Sequence, residues 1–230
     1  MKVALSWSGG KDSALALQAL RADGVEPEAL LTTLTEGFER VSMHGVRREL
    51  LAAQARAVGI ELVEVPIPPQ CPNDVYEARM EEAFAAAPLV GVAAFAFGDL
   101  YLEDVRAYRE ERLAAAGRHA LFPLWGRDTA ALARRFVADG FRATLVCVDP
   151  RLLDPSFAGR ELDEALLAEL PQGVDPCGEN GEFHTFVHAG PVLAEPVPIA
   201  TGERVERGGF CFCDLVYNGS SSSSRRATGS

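Results

Sequence analysis

No stretch of the 230-residue chain is apolar over the roughly 20 positions that a membrane-spanning helix needs, so a span is not expected. Basic side chains are scarce: 22 stand against 33 acidic ones, for a formal net charge of −11. With a pI near 4.9, the surface does not suit broad binding to nucleic acid, where phosphate neutralisation supplies most of the non-specific affinity. One local anion site remains compatible with that charge. Cysteine is sparse too. Five, an odd number in a chain this long, do not form the dense framework of a disulfide-stapled domain, which points to a reducing compartment. The N-terminus reaches a Gly-rich polar loop too soon to read as a secretory signal. There is no internal repeat. A cytoplasmic protein is expected, and a hydrophobic content of 48% is ample for a core.

What is present is an alternation of β-branched strands with helical patterns. Lys2–Ser6, Ala29–Leu34, Leu62–Ile67 and Val90–Phe97 read as buried strands. Ser13–Asp23, Arg47–Val58 (stopped by Gly59), Val75–Ala87 and Leu102–Ala116 read as helices. This order predicts an α/β fold with a doubly wound, mostly parallel sheet covered on both faces, its strand-following loops along one edge. After about Gly117 the rhythm changes. Asp128–Asp139 and Glu161–Leu170 read as helices, and Ala143–Val148, Phe183–His188, Gly202–Arg207 and Phe210–Tyr217 as strands. The division expected is residues 1–120, a smaller C-terminal α+β domain over 121–217, and a low-complexity, disordered tail over 218–230.

The first strand-to-helix turn carries the clearest chemistry: Ser6-Trp7-Ser8-Gly9-Gly10-Lys11-Asp12-Ser13. Glycines let backbone N–H groups approach a phosphate, and a helix N-terminus adds unpaired donors and partial positive charge. Lys11 contributes a full charge, Ser8 and Ser13 hydroxyls. The spacing is neither the Walker GxxxxGK[ST] nor GxGxxG. The other reading of the octet is a capped helix whose lysine sits in water. Asp12 fits either a Mg2+ ligand or a helix cap. Asp99, after Gly98 at the end of the fourth strand, faces the same choice between ligand edge and cap.

SGGKDS after an N-terminal strand resembles the PP-loop of the N-type ATP pyrophosphatases, a HUP-like superfamily that cleaves ATP between its α and β phosphates. Cys177-Gly178-Glu179-Asn180-Gly181-Glu182-Phe183-His184-Thr185, followed by Gly190-Pro191, resembles the GE-x-GE-[YF]-HT segment of the diphthine–ammonia ligase family. His44-Gly45-Val46-Arg47, Pro72–Glu77, Phe97–Leu100 and Pro123-Leu124-Trp125 with Asp128 extend the resemblance over about Lys2 to Tyr217. The Ala- and Arg-rich composition and the Gly98–Asp104 variant are most similar to the bacterial branch, whose acceptor would be a group other than diphthine.

The resemblance implies an ATP-dependent, amide-forming ligase. An acceptor carboxylate is adenylated, pyrophosphate leaves, and ammonia displaces AMP. In archaeal and eukaryotic relatives the acceptor is carried on a translation elongation factor. It further implies an ATP site of Ser6, Ser8, Gly9, Gly10, Lys11, Asp12, Ser13, Thr32, Thr33, His44, Asp99, Glu179 and Thr185, with Thr32 and Thr33 ending the second strand beside adenine. Mg2+ would sit on Asp12 and Asp99, and Lys11, Glu182 and His184 would act in catalysis. The residues themselves support the last point. In a strand, Glu182, His184, Phe186 and His188 share one face, where carboxylate and imidazole can move a proton; Phe183, Thr185 and Val187 turn to the core. An acidic turn before an edge strand, with His184 idle, is the other reading.

Cys211-Phe212-Cys213 invites a zinc reading completed by His184 and His188, but a zinc site prefers a C-x₂₋₄-C start, so half-buried thiols are expected. With no glutaminase domain, free ammonia is the economical nitrogen source. Two other functions stay open: an ATP- or AMP-binding sensor without turnover, and a tRNA-modifying PP-loop enzyme, against which net charge and the missing cysteine pair both speak. The chain is compatible with a homo-oligomer.

Overall fold

The structure is a computed structural model that describes residues 1–37, 40–41 and 45–219. Five strands, β1 (Val3–Ser6), β2 (Ala29–Thr35), β4 (Leu62–Ile67), β5 (Ala94–Ala96) and β6 (His119–Leu121), form a parallel sheet in the order β4-β2-β1-β5-β6. A two-residue strand, β3 (Arg40–Val41), pairs antiparallel with the end of β2. Helices α1 (Lys11–Ala22), α2 (Arg48–Val58), α3 (Asn73–Ala85) and α4 (Glu103–Ala115) make the crossovers. Alternation along β1 shows both faces covered: Val3 and Leu5 enter one apolar core with α1 and α2, and Ala4 enters a second beneath α3 and α4.

Chain order reverses around β1: β2 and β4 lie on one side, β5 and β6 on the other. The loops after β1 and β5 therefore open onto a topological switch point, where open α/β sheets bind ligands.

The second unit carries α5 (Thr129–Ala138), a 3₁₀ turn at Pro155–Phe157, α6 (Glu164–Glu169) and a four-stranded antiparallel sheet. Its strands β7 (Arg142–Val148), β8 (Phe183–Ala189), β9 (Ile199–Arg207) and β10 (Phe210–Tyr217) run in the order β8-β7-β10-β9. Asp128 caps α5 by accepting from Ala131 N at 2.6 Å, and Asp163 caps α6 by accepting from Leu166 N at 2.7 Å.

Several boundaries differ from expectation. The fourth strand shrinks from Val90–Phe97 to Ala94–Ala96, because residues 86–92 turn and bury Leu89 and Val92 under the sheet instead of extending it. The last helix starts at Glu164 rather than Glu161, since Glu161 bridges to Thr144. The first sheet gains β6, two of whose residues precede the expected boundary at 120. Most consequentially, β8 does not sort into a wet face and a core face. Thr185, Phe186, Val187 and His188 are all buried, because β8 is packed between β7 and the loop that opens α1.

The expected tail falls mainly on residues 220–230, outside the described residues.

Candidate active site

The loop from Ser8 to Lys11 is held in shape by the second sheet. Lys11 N donates to Thr185 Oγ1 at 3.1 Å, and Val187 N donates to Gly9 O at 2.9 Å. From below, the Gln54 amide of α2 donates to Gly9 O (3.0 Å) and Val187 O (2.5 Å) and accepts from Trp7 Nε1 (2.7 Å). Gly9 has φ +78°, and a Cβ there would lie 2.8 Å from Leu51 Cδ1. Gly10 is the N-cap of α1, Ser8 Oγ accepts from Gly10 N at 3.2 Å, and Ser13 Oγ donates to Gly10 O at 2.9 Å. Thr185 takes the Lys11 amide; the amides of Asp12 and Ser13 have no partner among the described residues. They are the orphan donors of a helix start, oriented for an anion.

Lys11 is 2% exposed, and its ammonium donates to Asp12 Oδ2 at 2.8 Å and to the Cys177 carbonyl, 5.6 Å above the Phe183 ring. Burial alone would lower its pKa, but the negative groups around it, Asp12 foremost, outweigh burial and raise it. Burial pushes the Asp12 carboxyl up, against the pull of Lys11, with Asp175 and Asp99 adding to the rise. Asp12 Oδ1 is shielded from solvent and accepts no hydrogen bond from any described residue. Asp12 does not cap α1; its carboxylate accepts from Lys11 Nζ instead. Asp99 is not a cap either, since α4 starts after Leu102. Its carboxylate is ion-paired with Arg109, 2.8 Å from Nε, and that guanidinium stacks 4.2 Å from the Phe97 ring centroid. Gly98 lets the loop after β5 approach the start of α1: a Cβ there would sit 2.8 Å from the Asp12 carbonyl carbon.

The Cys177–Glu182 turn closes the other side. Glu179 Oε1 accepts from Leu100 N at 2.7 Å, tying the turn to the loop after β5. Burial raises the Glu179 carboxyl to about 7; the Leu100 amide opposes this, and Asp12 and Asp99 reinforce it. Glu182 is 3% exposed and accepts from Asp175 N, Asn180 N and Asn180 Nδ2, each at 3.0 Å, so it orders the turn. The face of β8 read as core-directed, Phe183 and Thr185, is the one that meets the Ser8–Lys11 loop. His184 is half-buried in register with Cys147 of β7.

A cavity of about 340 Å³ adjoins the loop, lined by Ser6, Ser8, Thr32, Thr33, Tyr76 and Phe97 among others, a size within the range of small-molecule sites. Thr32 and Thr33 do not end β2, which runs on to Thr35. Pairing with β1 stops at Leu31 and pairing with β3 starts at Leu34, so among the described residues the backbone at Thr32–Thr33 has no strand beside it on that edge. His44 lies outside the described residues. Arg47 turns away, its fork on Asp214 at 2.6 and 3.1 Å. Burial raises the Cys177 and Cys147 thiols to about 12, and raises Cys211 and Cys213 too. Among the described residues no group of three or more His, Cys, Asp or Glu side chains is set to hold a metal unaided.

The structure thus gathers Ser6, Ser8, Gly9, Gly10, Lys11, Asp12, Ser13, Thr32, Thr33, Asp99, Glu179 and Thr185, with Glu182 one layer behind. Sequence reasoning missed Gln54, Arg109 and Tyr76. Gln54 had a readable signal, a polar side chain inside the buried Leu50–Ala55 face of a helix; Tyr76 lay within the Pro72–Glu77 stretch of the resemblance without a role of its own, and Arg109 had no signal, lying on an ordinary helical surface until the fold brings it to the cavity.

A family model described as the diphthamide synthase N-terminal domain matches residues 1–117, and one described as the diphthamide synthase C-terminal domain matches residues 128–217. Diphthine–ammonia ligases from Rattus norvegicus and Homo sapiens are 26% and 25% identical, over 94% of this chain and 90% of each relative. A diphthine–ammonia ligase from Danio rerio is 36% identical over 50% of this chain and 48% of its own length.

Proposed function

Because the chain belongs to the diphthamide synthase family, we propose that it is an ATP-dependent ligase that joins ammonia to a carboxylate. The carrying observation is the Ser8–Ser13 loop: its Asp12 and Ser13 amides, without a partner among the described residues, stand at a helix start that Thr185 braces and a nucleoside-sized cavity adjoins. The phosphates of ATP would lie on the loop amides and the Ser8 and Ser13 hydroxyls. The base would enter the cavity, where the open β2 edge at Thr32–Thr33 offers backbone donors and acceptors.

The residues present fit a magnesium ion. Asp12 Oδ1 is an acceptor with no partner, Asp99 is close enough to raise the Asp12 pKa, and Mg2+ commonly takes one or two carboxylates together with phosphates and water. Bound there, it would neutralise charge that builds on the phosphates. Around the Lys11–Asp12 pair stand Asp99, Asp175 and Glu179, so an anionic nucleotide needs such a cation, and ammonium is drawn to the same place.

The acceptor carboxylate attacks the α phosphorus and pyrophosphate leaves. Ammonia then attacks the adenylated carbonyl, AMP departs, and the nitrogen sheds a proton. Glu179, its carboxyl raised to about 7 by burial, would receive it, while Glu182 holds the turn that carries Glu179. Lys11 stabilises charge on the departing pyrophosphate.

Release of AMP and pyrophosphate from ATP with Mg2+ and ammonium, in the presence of a diphthine-bearing elongation factor or fractionated lysate, tests this reading. Acceptor-dependent AMP that falls at least about a hundredfold in Lys11→Met is expected. A circular-dichroism melt accompanies the variant, since loss of Lys11 leaves Asp12 buried beside Asp99. ATP binding without AMP under any acceptor would instead support a sensor.

A further inference from the structure

Among the described residues, the second sheet ends in a strand with nothing beside it. β9 is terminal in the order β8-β7-β10-β9, and every residue from Ala200 to Arg207 is exposed, with Val205 at 48%. An edge of this length offers a row of backbone donors and acceptors to another strand. Proteins that guard such an edge place charges, lysine above all, or proline along it. Here the run is Glu203-Arg204-Val205-Glu206-Arg207, in which the signs alternate.

That order is self-complementary. When two copies of β9 meet antiparallel with Val205 on the two-fold axis, Glu203 faces the second copy's Arg207 and Arg204 faces its Glu206. Both charge pairs then form twice, and Val205 packs on Val205. Other registers lose this: centring on Glu203, Arg204 or Glu206 sets like charges face to face on the axis. A two-fold contact requires one patch to complement itself, and the Val205 register does so. The open arginine-lined groove on α2 is a weaker candidate, because Arg40 and Arg47 are neutralised by Asp214 and Arg48 by Glu64.

We propose that the partner of this edge is a second copy of the chain, joined through β9 about Val205 into one continuous antiparallel sheet across the dimer. The contact is short, so association is concentration-dependent and weakens with salt. It lies on the far edge of the sheet from β8, which braces the Ser8–Lys11 loop, so it stands apart from the proposed ligase activity.

Sedimentation velocity on the full chain, from micromolar to submillimolar concentration, reads the result. The expected outcome is a species of twice the 24.7 kDa chain mass at the upper end. Arg204→Glu sets glutamates opposite Glu206 and raises the dimer Kd by at least about tenfold. Arg204→Glu with Glu206→Arg restores the pairing in mirror order and recovers the dimer. A monomer at every concentration overturns the proposal. So does a dimer indifferent to Arg204→Glu, or one that the second substitution fails to recover. Unchanged AMP release in both variants separates this outcome from any failure of the ligase reading.

Discussion

Glu179 is half-buried between the loop after β5 and the Cys177 turn, bonded to Leu100 N and facing Asp12, Asp99 and Lys11. Its carboxyl is raised from an ordinary 4.5 to about 7. Over that interval the folded protein keeps a proton that the unfolded chain has released, so this residue's contribution to stability falls as pH rises and levels off above about 7. Glu179→Gln keeps an acceptor for the Leu100 amide and removes the titration. The melting temperature of the variant should gain on the parent between about pH 5 and pH 8. Equal gaps at both ends would show that Glu179 does not titrate in this interval. If Glu179 also takes the proton from nitrogen, AMP release at saturating ATP loses its acidic limb in the same variant. The motif made Glu179 and Glu182 look alike. Their surroundings differ: three donors converge on Glu182, which orders the turn, whereas Glu179 accepts from Leu100 N and lies beside other carboxylates.

At the level of elements, the Ser8–Lys11 loop depends on two neighbours distant in sequence. α2 supplies Gln54, fully buried, whose amide satisfies Trp7 Nε1, Gly9 O and Val187 O together. Gln54→Leu fills the same space, takes the partner from Trp7 Nε1 and a donor from Val187 O, and leaves Gly9 O with Val187 N alone, which should cost about 2 kcal/mol, given the penalty for unsatisfied buried polar groups. Urea unfolding measures it; a loss below about 1 kcal/mol would mean that water replaces the amide. β8 supplies Thr185. The alternation Phe183, Thr185, Val187 was legible, but the direction was not: a period of two separates faces without saying which meets solvent, and here both are covered.

Across the whole molecule, the larger apolar core runs from Val3 and Leu5 of the first sheet through α1 and α2 to Val187 and Leu215 of the second. Two sheets that share a core and a loop should unfold together. Calorimetry is expected to show one transition whose calorimetric and van't Hoff enthalpies agree, and ATP with Mg2+ should move it upward. Two separated transitions would show that the sheets are stable independently.

The sequence by itself determined the βα alternation, the parallel sheet and the Ser8–Ser13 loop at its first turn. Those follow from contacts close along the chain: strand and helix periods, Asp128 at a cap, Gly59 past a helix end. It also carried the family, because the GE-x-GE-[YF]-HT run is local. Only the tertiary structure decided which carboxylates are neighbours. Asp12, Asp99 and Glu179 are separated by most of the chain, and the shifts of Asp12 and Glu179 arise from burial at the seam where the two sheets meet. The same holds for Gln54, Arg109 and the gap in pairing at Thr32–Thr33, since a missing neighbour on a strand edge exists only once the other strands have taken their places.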